Sequence, residues 1–387
     1  MPSASESSPT AAPAPPSVRV VIPAHEVGPW FDDVIAGIEG QDYPALSVSI
    51  VHDAGEAAVF ARHDEDLPGL KLVAIDSDAG FGARVNAVAN EATEDLLLIL
   101  HDDAALEPGA IAALVREFLR RQDPRSVVAA KLLDWSNPRL LMPSGFEADR
   151  FGATASLVRP GDFDQGQQDR GVDLFGTSTA CLLLARKTFL SIGGFDDAMD
   201  WHAEAHDLAV RVRSIGGTIT VAPAAIARHR GAFEQRGAVA PTFRKRRHQM
   251  RSVFASTPGR QLPLVLIGYF FLHLAELAVA LVRLDLAEAA SIFEAWFWNL
   301  RKFGSLGRRR SLLLDHDAFD PSSLTLSRKR GSIRLSESID RRILRRELAA
   351  ESGEATVSPI RVAGGVAVAT LLTFGARHLL TLSLIHI

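Results

Sequence analysis

The chain of 387 residues contains a single cysteine, Cys181, which lies inside an apolar run. One thiol excludes a disulfide framework and favours a reducing compartment. Lysine and arginine (42) are slightly outnumbered by aspartate and glutamate (46), so the net charge of −4 provides no basic excess for binding nucleic acid. Residues 1–17 are rich in Pro, Ala and Ser and lack the basic start and apolar stretch of a signal peptide. We therefore expect a disordered lead-in there.

A dinucleotide fingerprint is also missing. The turn after the first predicted strand should carry Gly-x-Gly-x-x-Gly in a nicotinamide oxidoreductase, but residues 21–26 read Val-Ile-Pro-Ala-His-Glu. An oxidoreductase that uses Asp53 to hold a cofactor ribose is therefore disfavoured.

What the chain does contain is a series of apolar runs that alternate with helix-like segments. Strands are predicted at 18–23, 46–51, 70–75 and 96–100, with short helices between them. This alternation is typical of an α/β protein with a parallel sheet and right-handed crossovers. Further runs at 127–133, 180–185 and 218–222 should extend the sheet, and residues 135–175 should form loops over its edge.

The fourth strand ends abruptly in His101, Asp102 and Asp103. Open α/β sheets bind their ligands beyond the carboxyl ends of the strands. Two adjacent carboxylates repel each other unless a cation lies between them, and oxygen ligands suit Mg²⁺ or Mn²⁺, which in turn hold substrate phosphates. An exposed acidic turn that caps the following helix explains the triplet equally well.

Three further features follow the same order along the chain. Asp53 ends the second strand, and a Gly-rich turn at 78–82 opens the helix after the third. A Gly-Gly-Phe-Asp-Asp turn at 193–197 precedes a helix on which Glu204 and Arg211 share one face. Each feature is common when taken singly.

Together, and in this order, the four features resemble the family 2 glycosyltransferases over about residues 18–237. The resemblance implies a GT-A fold, an α/β Rossmann-like mixed sheet that binds a nucleotide sugar, with Mg²⁺ or Mn²⁺ as cofactor. It implies an inverting transfer from a nucleotide-diphosphate donor. The positions that match the family's donor contacts are Ala24, Glu26, Asp53, Asp78, Arg84, Asp102 and Asp103.

The same resemblance implies the metal ligands and the catalytic groups. Asp103 matches the metal-binding acid, His101 replaces the first acid of the family's Asp-x-Asp triplet, and His229 resembles a late histidine that completes the metal site. Glu204 is the implied base that deprotonates the acceptor hydroxyl. Asp207, one turn later, is a second catalytic candidate. The acceptor side should be formed by Trp201, Glu204 and Arg211.

One departure from the family keeps an alternative open. The family's Glu-Asp pair reads Glu204-Ala205 here, so a catalytically impaired relative that binds a nucleotide or a glycan remains a second reading. Asp207 also has a structural explanation, since it can pair with Arg211 at i+4.

Beyond residue 240 the chain becomes basic and then apolar. Basic residues cluster at 244–248, and the apolar run at 262–282 is long enough to cross a bilayer. A second apolar helix at 286–300 carries Trp296 and Trp298 before a basic end, a pattern typical of an interfacial anchor. Because both sides of the pair are basic, we expect a hairpin or a semi-immersed pair whose ends face the cytoplasm. A soluble helical subdomain packed on the sheet is the alternative.

The predicted organisation is a lead-in at 1–17, a GT-A domain at 18–240, a basic cluster and membrane-associated helical pair at 241–304, a charged linker at 305–358, and an apolar segment at 359–387 for which a transmembrane helix is one interpretation. This arrangement resembles the catalytic part of large actinobacterial membrane glycosyltransferases, whose chains continue further, so we expect a truncated product. The predicted protein acts at the cytoplasmic face of the cell membrane on an envelope glycan or a lipid-linked acceptor.

Overall fold

The computed structural model describes residues 14–63, 66–159, 161–169, 171–231, 241–326, 328 and 331–334. The predicted apolar segment at 359–387 and most of the lead-in lie outside these residues. The end of the lead-in is held in place, because the Ser17 hydroxyl and N–H both donate to Asp95 Oδ2 at 2.9 Å. The prediction of disorder is therefore wrong for Ser17, the last residue of the lead-in.

The described residues form an eight-stranded sheet and a small three-stranded one. The large sheet has the strand order β3-β2-β1-β4-β10-β6-β11-β5 and the small one β8-β7-β9. The strands are β1 (Val18–Pro23), β2 (Leu46–Asp53), β3 (Lys71–Ile75), β4 (Leu96–Leu100), β5 (Ala104–Leu106), β6 (Val127–Asp134), β7 (Gly145–Ala148), β8 (Thr154–Ser156), β9 (Gly176–Thr177), β10 (Cys181–Ala185) and β11 (Ile219–His229).

The large sheet is mixed. Strands β1 to β4 pair in parallel, as the alternation of strands and helices predicts. Strand β10 runs antiparallel between β4 and β6, and β5 runs antiparallel to β11. The mixed sheet implied by the family resemblance is confirmed, whereas the purely parallel one is wrong for the second half. Residues 135–175 are also more than loops, since β7 and β8 lie within them.

Helices cover both faces of the large sheet, and its central strands are therefore buried on both sides. In β4, Leu96, Leu98 and Leu100 join the core on one face, while Leu97 and Ile99 join the core on the other. A strand buried on two faces reads as a continuous apolar run, which is the pattern that the sequence shows. The helices of this part are α1 (Phe31–Glu39), α2 (Ala57–Ala61), α3 (Phe81–Glu91), α4 (Ala110–Arg121), α5 (Arg186–Ser191) and α6 (Glu204–Ser214).

Within the described part of the chain, five helices follow the last strand, and they pack on α6 and on one another. They are α7 (Pro241–Ser256), α8 (Leu262–Arg283), α9 (Leu286–Arg301), α10 (Phe303–Leu314) and α11 (Pro321–Leu326). Helix α7 packs against α6 on one side and against α9 and α10 on the other. The predicted charged linker begins at residue 305, but residues 303–314 and 321–326 form α10 and α11, and Leu313 and Leu324 join the sheet core.

The basic cluster of α7 is used inside the protein. Arg246 pairs with Glu276 of α8 and Glu288 of α9, and Arg251 Nε donates to Asp196 Oδ2 at 2.7 Å. Side chains that neutralise buried acids are not available as a lipid-facing patch. The charge argument for the orientation of the helical pair therefore does not apply to these residues.

Both tryptophans of α9 contact protein groups. Trp296 Nε1 donates to His273 Nδ1 at 2.8 Å, and the Trp298 ring lies beneath the guanidinium groups of Arg247 and Arg251. Each ring is also partly exposed, so the interfacial-anchor interpretation of Trp296 and Trp298 stays a prediction.

Among the described residues, α8 alone has the length and hydropathy of a membrane span. It has 22 residues, and its most apolar stretch has a mean hydropathy of 2.1 and is 39% buried within the protein. Core helices of soluble proteins can have the same length and composition, so its exposed face is the more informative feature.

Candidate functional site at the carboxyl edge of the sheet

The residues predicted from strand ends meet at one edge of the sheet. Strand β1 lies between β2 and β4, so the strand order reverses there. Asp53 ends β2, Ala24 follows β1, and the triplet 101–103 follows β4. A crevice at such a reversal is the usual ligand site of an open α/β sheet.

Arg84 of α3 holds two of these groups together. Its buried guanidinium pairs with Asp53, donates to the Ala24 carbonyl at 2.9 Å, and donates from Nε to the Ala79 carbonyl at 3.1 Å. The structure thus brings Ala24, Asp53 and Arg84 together as predicted. Arg84 acts on Asp53, whose carboxylate it orients, and it is itself withdrawn from the surface.

His25 belongs to the same crevice although sequence reasoning did not select it. Its N–H donates to Asp102 Oδ2 at 2.8 Å, and its Nδ1 lies 3.6 Å from Asp53 Oδ2. The His25 ring also packs on Trp201, with 5.1 Å between ring centroids. Its position directly after Ala24, in the turn that follows β1, was the sequence feature that could have identified it. Through this contact the segment that precedes Glu204 reaches the sheet edge.

His101, Asp103 and His229 form a compact group of possible metal ligands, with their ligand atoms all within 4.8 Å of one another. His229 Nε2 lies 3.2 Å and His101 Nδ1 3.9 Å from Asp103 Oδ1. Pairing of β5 with β11 sets His229 opposite Ala104 and so beside Asp103. The Thr179 hydroxyl contacts His101 Nε2 at 3.0 Å, which leaves Nδ1 turned toward the carboxylate. These donors fit a divalent transition-metal ion.

Two predicted donor residues lie at the rim. Glu26 and Asp78 are both exposed, and Glu26 has a left-handed backbone with φ of 51°. They flank the crevice on the turns that follow β1 and β3.

The two glycine-containing turns pack against each other beside the crevice. The Phe81 N–H donates to the Asp200 carbonyl at 3.0 Å. A Cβ atom at position 80 would lie 2.0 Å from that oxygen, and one at position 82 would lie 2.6 Å from the Phe195 Cβ. Only glycine allows this approach, which joins the start of α3 to the segment that leads into α6.

Glu204 begins α6 after a strained turn. His202 and Ala203 both have positive φ, 70° and 68°, although neither is glycine. Glu204 is 8% exposed, and among the described residues its Oε1 has no hydrogen-bond partner. Burial raises the pKa of this carboxyl to about 8. A carboxyl with a pKa near neutrality is suited to proton transfer.

Asp207 and Arg211 are not at the crevice. Arg211 Nη2 donates to Asp207 Oδ2 at 2.6 Å, the Ser252 hydroxyl donates to Oδ1 at 3.1 Å, and both charged side chains are almost fully buried. Burial alone would raise the pKa of Asp207, but the charges of Arg211 and Arg309 lower it. The predicted i+4 pair is confirmed. An acceptor contact by Arg211 and proton transfer by Asp207 do not agree with this burial.

Comparison with known proteins identifies the family of the chain. Residues 15–252 match the family described as "Glycosyltransferase like family 2". The chain belongs to this glycosyltransferase family. Over 189 residues it is 25% identical to the glucosyl-dolichyl phosphate glucuronosyltransferase of Haloferax volcanii. The alignment covers 47% of this chain and 58% of the relative.

A solved glycosyltransferase structure has a related fold. The crystal structure of GalNAc-T7 with UDP, GalNAc and Mn²⁺ superposes with a TM-score of 0.50 at 14% identity, over 62% of this chain and 50% of that one. The mannosyltransferase PcManGT from Pyrobaculum calidifontis, in complex with GDP-Man and Mn²⁺, is 19% identical over 95% of this chain and 89% of its own, with a TM-score of 0.46.

Proposed function

We propose that this glycosyltransferase moves a sugar, with inversion, from a nucleoside-diphosphate donor to a lipid-linked acceptor at the cytoplasmic face of the cell membrane. Asp53, oriented by Arg84, would contact the nucleoside, and Ala24, Glu26, Asp78 and Asp102 would line the donor crevice. Glu204 would deprotonate the acceptor hydroxyl, and Trp201 would cover the reacting sugar. Attack opposite the leaving group inverts the anomeric centre.

The observation that carries this proposal is the contact between His25 and Trp201. The two rings lie 5.1 Å apart, which supports a position of the Trp201–Glu204 segment beside the crevice that Asp53 and Asp102 border. Phe81 strengthens the link, since its ring lies 5.3 Å from His101 and 6.3 Å from Trp201. A base on this segment, facing the candidate metal ligands, would provide the arrangement that group transfer requires.

The donor atoms favour Mn²⁺ over Mg²⁺. Two imidazoles and one carboxylate form the group, whereas Mg²⁺ prefers an all-oxygen shell. A divalent ion held by these residues would offset the charge that develops on the leaving diphosphate.

A lipid-linked acceptor is supported by the Haloferax relative, whose name records a dolichyl phosphate substrate, and by the apolar surface of α8 and α9. Exposed aromatic and aliphatic side chains extend over both helices, among them Phe270, Phe293, Phe297 and Leu300. The Arg301 guanidinium lies over the Phe297 ring at 5.8 Å, so a cation accompanies the apolar face. Anionic lipid headgroups would complement such a face.

The inward contacts of α8 favour a helix that lies in the membrane plane. Tyr269 Oη donates to the Phe151 carbonyl at 2.8 Å, and Glu276 pairs with Arg246 in a buried ion pair. If α8 crossed the bilayer, these partners would have to enter the hydrocarbon with it, where charged groups are costly. An in-plane helix immerses its apolar face and keeps the catalytic domain in water.

The test is sugar transfer in lipid vesicles with a panel of UDP- and GDP-sugars, a polyprenyl phosphate acceptor, and Mn²⁺, Mg²⁺ or a chelator. We expect transfer with Mn²⁺ that the chelator abolishes, and a product of inverted anomeric configuration by NMR. Asp103→Ala should lower transfer by roughly 10²-fold or more. The matched control is Asp42→Ala, which removes an exposed carboxylate outside the crevice.

Two outcomes would contradict the proposal. Transfer unaffected by the chelator and by Asp103→Ala would remove the metal assignment. Calorimetric binding of a nucleoside diphosphate without turnover on any acceptor would instead favour the catalytically impaired, ligand-binding relative that Ala205 keeps open.

A further inference from the structure

Three side chains of α7 converge on the carboxylate of Asp200, four residues before Glu204. Arg247 Nη2 donates to both carboxylate oxygens at 2.9 Å, Arg244 Nε lies at 3.2 Å, and His248 Nε2 lies 3.1 Å from Oδ1. This concentration of positive partners lowers the pKa of Asp200 despite the opposing effect of burial. The carboxylate is therefore held firmly in place.

His248 also reaches the strained turn itself. Its Nδ1 contacts the His202 carbonyl at 2.9 Å, so one fully buried ring bridges the Asp200 side chain and the His202 backbone. Consecutive non-glycine residues with positive φ are unfavourable and persist only where their surroundings fix them. His248 supplies such a constraint at His202 and Ala203.

Arg247 connects this turn to the helical pair. Its Nη1 donates to Glu294 Oε1 of α9 at 2.9 Å, and its guanidinium lies 5.0 Å from the centre of the Trp298 ring. On the other side, the Asp200 carbonyl accepts from the N–H of Phe81 at the start of α3. Asp200 thus lies between the donor side of the crevice and the helices with the apolar surface.

We propose that Arg247 and His248 are positioning residues: they hold the turn at 200–203 in the conformation that places Trp201 and Glu204 at the crevice, and they link that turn to α9. Neither touches the reacting atoms. The inference depends on the proposed transfer reaction only for its kinetic readout, because the conformation of the turn is measurable without a substrate.

His248→Phe is the decisive variant, since it keeps an aromatic ring against Trp298 and removes the polar contacts of the imidazole with Asp200, the His202 carbonyl and Arg247 Nε. We expect kcat to fall by about 10- to 100-fold, the loss that a displaced catalytic group produces, with KM for the donor little changed. Hydrogen exchange should become faster at the amides of residues 201–204 and stay at the wild-type rate in β4. UDP binding in the presence of Mn²⁺ should be retained, because Asp53 and Asp103 lie on other elements.

Arg247→Lys provides the conservative comparison. One ammonium group cannot reach Asp200 and Glu294 with the fork geometry of arginine, so Arg247→Lys should give an intermediate kcat and Arg247→Met a lower one. Arg116→Met, an exposed change on α4, is the matched control and should resemble wild type.

A lower melting temperature for His248→Phe, with unchanged exchange at 201–204 and unchanged kcat, would overturn the proposal and leave His248 a packing residue. If wild type transfers no sugar to any acceptor, the exchange measurement alone decides. Faster exchange at 201–204 then supports the positioning role even though the proposed function has failed, and unchanged exchange refutes it.

Discussion

Glu204 combines two properties that are rarely found together on a carboxyl group. It begins a helix, where a carboxylate is electrostatically favoured, yet its burial raises its pKa to about 8. The increase in pKa caused by desolvation is larger here than the decrease caused by the helix N-terminus, because the side chain is almost completely buried. Near neutral pH the group is therefore poised between its protonated form and the base that the reaction needs.

The first prediction concerns the rate of transfer. If Glu204 is the base, transfer should rise with pH up to about 8, since only the deprotonated carboxylate accepts the acceptor's proton. Glu204→Gln should lower kcat by roughly 10²–10⁴-fold and abolish that pH dependence, while leaving donor binding intact. The measurement is kcat from pH 5.5 to 9 for both proteins. A variant that transfers sugar at the wild-type rate would exclude Glu204 as the base.

The second prediction concerns stability and needs no substrate. The pKa of a fully solvated glutamate is 4.5 and that of Glu204 in the folded protein is about 8, so between these values the folded state binds more protons than the unfolded one. Stability is then lost as pH rises through this window. Glu204→Gln removes that loss, and it should gain on the order of a few kcal/mol relative to wild type between pH 5 and pH 8.5. If the melting temperatures of Glu204→Gln and wild type differ by the same amount at pH 5 and at pH 8.5, the buried carboxyl does not titrate in this range.

The third prediction concerns His101, which stands where the family has the first acid of its Asp-x-Asp triplet. His101→Asp would convert the candidate metal group from two imidazoles and one carboxylate to one imidazole and two carboxylates. Oxygen ligands suit Mg²⁺ better than nitrogen does, so the ratio of Mg²⁺- to Mn²⁺-supported transfer should rise by roughly tenfold, or ~1.4 kcal/mol. Metal titrations of transfer test this. An unchanged ratio would mean that His101 is not a ligand.

At the scale of elements, α8 and α9 divide their surfaces between protein and exterior. The inward side of α8 carries Tyr269, His273 and Glu276, each with a partner in the protein, while the outward side is aliphatic and aromatic. The two helices are joined by a turn at Leu284 and Asp285, and Asp285 caps α9 by accepting from the Glu288 N–H at 3.0 Å. The pair is therefore a helical hairpin with an exposed apolar face.

The fourth prediction concerns that face. Replacing both Phe293 and Phe297 with glutamate should weaken binding to anionic vesicles by at least about tenfold, because each buried phenyl ring contributes roughly 1.5–3 kcal/mol. The two rings are 63% and 62% exposed, so the fold should tolerate the change. Leu119→Glu on α4, at a position 54% exposed, is the control. Vesicle co-sedimentation that is equal for all three proteins would exclude this face as the membrane contact.

Local patterns in the sequence predicted the parallel half of the sheet and the residues at its edge. The run at Leu96–Leu100 predicts a strand, because a strand buried on both faces is apolar throughout. The acids that follow it lie beyond the end of the strand, at the edge of the sheet. Asp53, Asp103 and His229 could be named for the same reason, since their positions follow from strand ends and from the family resemblance. Side-chain chemistry and strand boundaries are local properties.

Properties that depend on distant partners could not be read in this way. Nothing in residues 181–185 indicates that β10 would lie antiparallel between β4 and β6, because strand neighbours are chosen by the whole sheet. Similarly, an apolar helix with tryptophan and basic residues has the same sequence pattern whether its rings meet lipid or protein. Trp296 and Trp298 turned out to meet His273 and the arginines of α7.

At the scale of the whole molecule, the catalytic part and the C-terminal helices share one buried ionic network. Asp207 of α6 binds Arg211 and Ser252, and Arg309 of α10 donates to Asp207 at 3.3 Å and to the Gly194 carbonyl at 2.7 Å. Arg309 lies outside the residues 15–252 that match the family. The family domain therefore completes its interior with a helix that the family description does not include.

The last prediction follows from that dependence. Arg309→Ala should lower the free energy of unfolding by about 3–5 kcal/mol, because it leaves Asp207 and two glycine carbonyls buried with fewer partners. Its neighbour Arg308 is exposed, so Arg308→Ala removes the same charge from the same helix and should stay within about 0.5 kcal/mol of wild type. Urea unfolding followed by circular dichroism gives both values. Equal stability of the two variants would show that α10 is an accessory to the catalytic part. A large difference specific to Arg309 would show that a chain cut after the family domain lacks part of its own core.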